Sequence, residues 1–187
     1  LHMIRSYIAE NRARFMEEWA SLIRIPSISC QPAHKDDMLR CAERWRELLL
    51  EAGAQHAEVM PSKGNPFVYA EYSPMEVEGE RLEVKGKNIP TVLVYSHYDV
   101  MPVEPLDLWQ SNPWEPTIRE GRLYARGADD DKGQAMIQVK AFEYLVKHGL
   151  MNCHVKFIFE GEEEIGSPSL EAFLEEHRDL LACDIIL

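Results

Sequence analysis

The sequence predicts an α/β protein, a three-layer α/β/α sandwich with a mixed, largely parallel sheet. Amphipathic helical stretches alternate with short apolar strands along the chain, the order that builds such a sheet. Residues 91–95 form a continuous β-branched and apolar run, and residues 155–159 form a second apolar-rich one, the pattern of strands covered on both faces. The chain has 187 residues, 45% of them hydrophobic, enough for one sizeable core.

Along residues 4–23, Ile4, Ile8, Phe15, Trp19 and Leu22 recur near helical spacing between charges, which predicts an amphipathic helix. Ile25-Pro26-Ser27-Ile28-Ser29 breaks it. Asp36 or Asp37 is placed to cap a second helix that runs to Ala52 and closes at Gly53, with Leu39, Trp45, Leu48 and Leu49 as its core stripe. Residues 57–60 and 66–72 read as strands around a Lys63-Gly64-Asn65 turn. The Glu- and Lys-rich residues 74–90 read as a surface hairpin or loop. After the strand at 91–95 come a Pro- and Trp-rich loop and a hairpin over 117–124. Residues 134–148 form a helix with Ala135, Val139, Phe142 and Val146 on one face and Gly149 as its C-terminal cap. After the strand at 155–159, Ser167 is expected to cap a helix opening at Pro168, and residues 182–187 begin a further strand. An ending inside an apolar strand leaves groups that want partners, so the sequence reads as part of a longer domain.

Bulk properties narrow the function. A net charge of −12 argues against nucleic acid or an anionic membrane surface as the main partner, since both need a basic footprint. No apolar stretch approaches the ~20 residues of a membrane span and no signal-peptide core opens the chain, so a cytoplasmic protein is expected. Cys30, Cys41, Cys153 and Cys183 are widely spaced without a C-x-x-C pair, which indicates neither a zinc knuckle nor a disulfide framework. They are expected to be reduced and mostly buried.

The chemistry concentrates in three runs, each placed at the end of an apolar segment. His97 and Asp99 follow the strand at 91–95, where open α/β sheets bind their ligands. If extended geometry persists, the two point to one side, and Asp99 can accept from the imidazole nitrogen that is not on a metal. Asp129-Asp130-Asp131 lies between Gly127 and Gly133 just before a helix, and its spacing fits neither a calcium loop nor a phosphate loop. Glu162-Glu163-Glu164 follows the strand at 155–159. Neighbouring residues of an extended segment point in opposite directions, so one carboxylate can bind a metal while the next reaches a water. Carboxylates that converge repel by about 4 kcal/mol per pair at ~4 Å and an effective dielectric of ~20, so they need a cation or take up protons. A metal site is therefore expected. No G-x-S-x-G elbow offers a covalent alternative.

Taken together and in this order, the three runs resemble the M20 family of metallopeptidases. Ser96-His97-Tyr98-Asp99-Val100-Met101-Pro102 resembles its H-x-D-V-x-P motif, Gly127-Ala128-Asp129-Asp130-Asp131-Lys132-Gly133 its G-x-x-D-x-K-G motif, and Glu163-Glu164 its E-E pair. Trp109-Gln110-Ser111-Asn112-Pro113-Trp114 and residues 160–167 resemble the carnosine-type dipeptidase branch most.

The resemblance implies a zinc-peptidase-like fold with residues 1–187 as the N-terminal portion of the catalytic domain. It also implies two divalent metal ions, zinc with manganese or cobalt as alternatives. His97 would bind one metal, Asp130 would bridge both, Glu164 would bind the second, Glu163 would be the general base, and Asp99 would orient His97. The Asp130–Asp131 peptide bond would be cis. Two further ligands, an Asp soon after the strand that begins near Asp184 and a distant His, would lie beyond Leu187, as would a lid domain carrying homodimer contacts. The implied activity is hydrolysis of dipeptides or short peptides by a metal-activated water. The alternatives are an N-acyl-amino-acid deacylase of the same family and an inactive metal-binding homologue or fragment.

Overall fold

A computed structural model describes residues 2–74 and 89–187. The first helix, α1 (His2–Ile23), is followed by a short 3-10 turn and α2 (Lys35–Ala52). Then come β1 (His56–Met60) and β2 (Phe67–Tyr72), which pair antiparallel around the expected turn. β3 (Thr91–His97) leads through a loop into the hairpin of β4 (Thr117–Arg119) and β5 (Arg122–Tyr124), and on to α3 (Lys132–Lys147). β6 (His154–Glu160), a 3-10 turn at Glu163–Ile165, α4 (Leu170–Glu176) and β7 (Ile185–Ile186) complete the chain. The hairpin or loop expected at 74–90 falls almost entirely outside the described residues.

The main sheet has the order β1-β2-β6-β3-β7 and is mixed: β1/β2 and β2/β6 are antiparallel, β6/β3 and β3/β7 parallel. Parallel pairing puts the carboxyl ends of β3 and β6 side by side, with His97 opposite Glu160. Ligand-bearing loops therefore leave the sheet at one edge, as expected for an open α/β sheet.

Two apolar layers cover the sheet. One face carries Val68, Ala70, Val94, Phe157 and Phe159 against α2 and α3, through Trp45, Leu48, Leu49, Val139 and Phe142 among others. Trp45 is fully buried and meets Phe159 edge-on at 5.0 Å. Truncating such a residue typically removes about 3–5 kcal/mol. The opposite face packs Phe67, Tyr69, Leu93 and Ile158 against Phe173 of α4 and Leu181. Helices on both faces make the three layers that the alternating pattern predicts.

Local corrections have identifiable causes. Leu39 is 50% exposed, because the buried stripe of α2 runs through Met38, Cys41, Ala42, Trp45, Leu48, Leu49 and Ala52, and one position from Met38 is ~100° around the helix. Asp36 and Asp37 lie inside the first turn of α2 instead of capping it; Asp37 pairs with His34 and Arg40. Gly53 does close the helix in the left-handed conformation. Ser167 caps nothing: α4 opens at Leu170, two residues after the expected Pro168, with Ser169 at the N-cap position, and the Ser167 hydroxyl donates to Glu160. All four cysteines are free, but only Cys41 is fully buried, Cys30 being exposed and the other two half-buried.

Candidate active site

The site begins with the imidazole of His97 at the end of β3. His97 is 7% exposed, and its Nδ1 lies 3.1 Å from the Asp99 carbonyl oxygen and 3.3 Å from the Asp99 carboxylate. With a proton held on that side, the ring in its neutral form offers the Nε2 lone pair to ligand space. Nε2 faces Asp130 Oδ1 at 3.1 Å, and Glu163 Oε2 is 3.8 Å from the same nitrogen. Burial by itself lowers the imidazole pKa, but the Asp99 hydrogen bond and the charges of Asp99, Asp131 and Glu163 prevail and push it up to about 9.

Asp99 has a second task that its spacing from His97 does not reveal. It is completely buried and accepts the backbone N–H groups of Glu163 at 3.2 Å and Glu164 at 3.1 Å. Those residues are the start of a 3-10 turn, so their side chains do not follow the strand alternation expected for them. One carboxylate thus ties the H-x-D segment of β3 to the glutamates after β6.

The aspartate run divides similarly. Asp129 and Asp130 are exposed, whereas Asp131 turns inward and accepts from the Ser96 hydroxyl and from the His97 N–H at 3.2 Å. The Asp130–Asp131 peptide bond is cis. Lys132 next to them is fully buried and donates to the carbonyls of Leu22 (2.9 Å) and Ile25 (2.8 Å), docking the run on the end of α1. Gly133 lets the chain turn there, since a Cβ would stand 2.1 Å from the Ala128 carbonyl oxygen.

Of the five expected site residues, the structure therefore gathers His97, Asp99, Asp130 and the Glu163 carboxylate around one imidazole. Glu164 reaches the group through its backbone; burial first, and the charge of Asp130 next, push its carboxyl pKa up. Among the described residues no three His, Cys, Asp or Glu side chains close into a complete metal cage. The donor set nevertheless suits a divalent cation: an imidazole with its second nitrogen held, beside carboxylates whose charge no described Lys or Arg pairs.

Sequence reasoning missed Glu160 and Glu162. Glu160, fully buried, accepts from the Tyr95 hydroxyl and from Ser167, and burial raises its pKa. Glu162 is buried beside the base candidate and is hydrogen-bonded on both carboxylate oxygens. Both look like surface acids in a one-dimensional Glu-rich run. The hint available was Glu160 as the last residue of an apolar strand.

Residues 93–187 match the sequence model of Peptidase family M20/M25/M40. The Beta-Ala-His dipeptidase of Mus musculus is 37% identical over 190 residues, covering 96% of this chain and 37% of that protein. The structure of human carnosine dipeptidase 1 superposes with a TM-score of 0.82 at 26% identity, covering 99% of this chain and 40% of that one. An M20 family metallo-carboxypeptidase, Sso-CP2 from Sulfolobus solfataricus, superposes with a TM-score of 0.79 at 34% identity, covering 92% and 36%. The chain spans between 16% and 37% of the length of the first curated relatives it matches. Together with the site at the ends of β3 and β6, these likenesses place the chain in peptidase family M20/M25/M40, to which it belongs.

Proposed function

We propose that residues 1–187 are the N-terminal portion of the catalytic domain of a metallopeptidase that hydrolyses dipeptides or short peptides. The observation that carries this reading is the His97 Nε2 facing Asp130, with Asp99 holding Nδ1 and uncompensated carboxylates around the pair. The dipeptidase and metallo-carboxypeptidase names of the relatives support it. His97, Asp130 and Glu164 would hold two divalent ions, zinc first and manganese or cobalt as alternatives, Asp130 serving both. When bound, the metal would supply Lewis acidity for activating water and polarising a peptide carbonyl.

The chain's own residues do the rest. Asp99 keeps the imidazole proton on Nδ1 and, through the Glu163 and Glu164 N–H groups, fixes where the two glutamates begin. Glu163 is half exposed and close to His97 Nε2, which suits a carboxylate that takes a proton from water and delivers it to the departing amine. Asp131 holds β3 at Ser96 and His97 without spending its charge on ligand space.

Substrate is a small peptide; the complete protein is a cytoplasmic homodimer assembled through a lid domain. No helix of the described residues is long and apolar enough to cross a membrane. The test is hydrolysis by the full-length protein loaded with Zn²⁺, offered β-Ala-His, an α-dipeptide and an N-acetyl amino acid. Faster cleavage of a dipeptide supports the reading. Preference for the N-acetyl amino acid would make it a deacylase, and inactivity on all three would leave a metal-binding homologue.

A further inference from the structure

We propose that Glu162 is a positioning residue: its buried carboxylate docks the turn carrying Glu163 and Glu164 onto the β1–β2 turn and the start of α4, and so sets where the base stands. The inference rests on the peptidase reading and deepens it.

Glu162 is only 5% exposed. Its Oε1 accepts the Asn65 N–H at 3.0 Å and its Oε2 accepts the Ser169 N–H at 3.1 Å. Its carbonyl oxygen accepts from Ile165 at 3.1 Å and Ser167 at 2.8 Å, closing the turn on itself. On the preceding residue, the Gly161 carbonyl accepts from Asn65 Nδ2 at 2.9 Å. Asn65 is itself held in place, since its carbonyl accepts from the Ser62 hydroxyl, which also accepts the Gly64 N–H.

A carboxylate buried without a charged partner costs several kcal/mol unless hydrogen bonds satisfy it, so this side chain has few alternative places to go. Its two partners come from elements on either side of the turn. Asp99 grips the turn from beneath, through the N–H groups of Glu163 and Glu164. Glu162 grips it through Asn65 of the β1–β2 turn and Ser169 at the start of α4. A base one residue further along moves with that grip, and a misplacement of ~1 Å can slow a reaction by about 10²-fold.

Gly64 gives an independent handle. A Cβ there would lie 1.7 Å from Glu162 Oε1, and the carboxylate end is the movable party, so Gly64→Ala dislodges the carboxylate without removing it.

The experiment measures kcat and KM for dipeptide hydrolysis at 25 °C in the zinc-loaded full-length protein, with the thermal midpoint recorded separately. Glu162→Ala is expected to lower kcat by about 10- to 100-fold with KM within about twofold. Gly64→Ala is expected to lower kcat in the same sense, and the double variant to be no slower than Glu162→Ala alone, because both act through one contact. A folded Glu162→Ala protein with native kcat overturns the proposal even if its midpoint falls, since that is a structural role. Losses that multiply in the double variant also overturn it. If Glu162→Ala does not fold, Gly64→Ala decides, and native kcat there overturns the proposal. A native protein that cleaves no peptide defeats the peptidase reading itself, and this inference with it.

Discussion

Two groups of carboxylates in this molecule are treated in opposite ways. On the face between α1 and α3, Glu18 and Glu143 are surrounded by cations: Arg14 bonds both, Lys140 bonds both, and Lys147 and the Tyr7 hydroxyl add to Glu143. At the carboxyl ends of β3 and β6, Asp99, Asp130 and Glu163 have His97 as their one ion-pair partner among the described residues, and neither Asp131 nor Glu164 has a Lys or Arg there. Charge balanced inside the fold is structural. Charge left over at the sheet edge is what the proposed metal site would neutralise, and that contrast separates two clusters that look alike as sequence.

The contrast breaks or holds on substitution. Glu163→Gln in the zinc-loaded full-length protein is expected to cut kcat by ~10²–10⁴ and leave metal content and KM close to native, whereas Glu164→Gln lowers metal content. Steady-state kinetics with metal analysis checks both. Stripped metal in Glu163→Gln with metal retained in Glu164→Gln would exchange the two roles. In the balanced cluster, Glu143→Ala is expected to cost about 3 kcal/mol of stability, the low end for breaking a buried pair because Arg14 and Lys147 reach solvent. Denaturant unfolding measures that loss, and kcat well below the unfolding transition should stay native.

The pH dependence of Glu143 follows from the same cluster. Burial alone raises its pKa, but hydrogen bonds from Arg14, Lys140, Lys147 and Tyr7 prevail and hold it well below the usual carboxylate range. Its folded pKa lies below its unfolded one, so its contribution is complete above the ordinary value of 4.5 and is lost as pH falls below that. Acid titration of stability should therefore be shallower for Glu143→Gln than for the native chain. The smallest effect expected is at Asp130. In metal-free protein Asp130→Asn should change stability by no more than ~1 kcal/mol in denaturant unfolding, since Asp130 is largely solvent-exposed and its attraction to His97 offsets its repulsion of Glu164. Equal destabilisation by carboxylate removal in both clusters would erase the distinction between them.

Much of this was legible in one dimension. The run at 91–95 announced a covered strand, and helical spacing at Ala135, Val139 and Phe142 announced the core face of α3. His97 and Asp99 were legible as a pair because two residues at a strand end are a local relation. The grip of Asp99 on Glu163 and Glu164 spans more than sixty residues and depends on β3 lying parallel to β6, which no local pattern encodes. For the same reason no local pattern separates Asp130 from Asp131: the family resemblance singled out Asp130, and in the fold it faces Nε2 while Asp131 turns in to Ser96. Glu162 was hidden among identical neighbours, its partners Asn65 and Ser169 lying on separate elements.

The most direct test of the unbalanced cluster is the metal content of the full-length protein after dialysis against Zn²⁺, native beside Asp130→Asn and Glu143→Gln. Two zinc ions are expected per native chain, the same in Glu143→Gln, with loss of zinc in Asp130→Asn. Native zinc content in Asp130→Asn, or a native protein that retains none, would contradict that expectation.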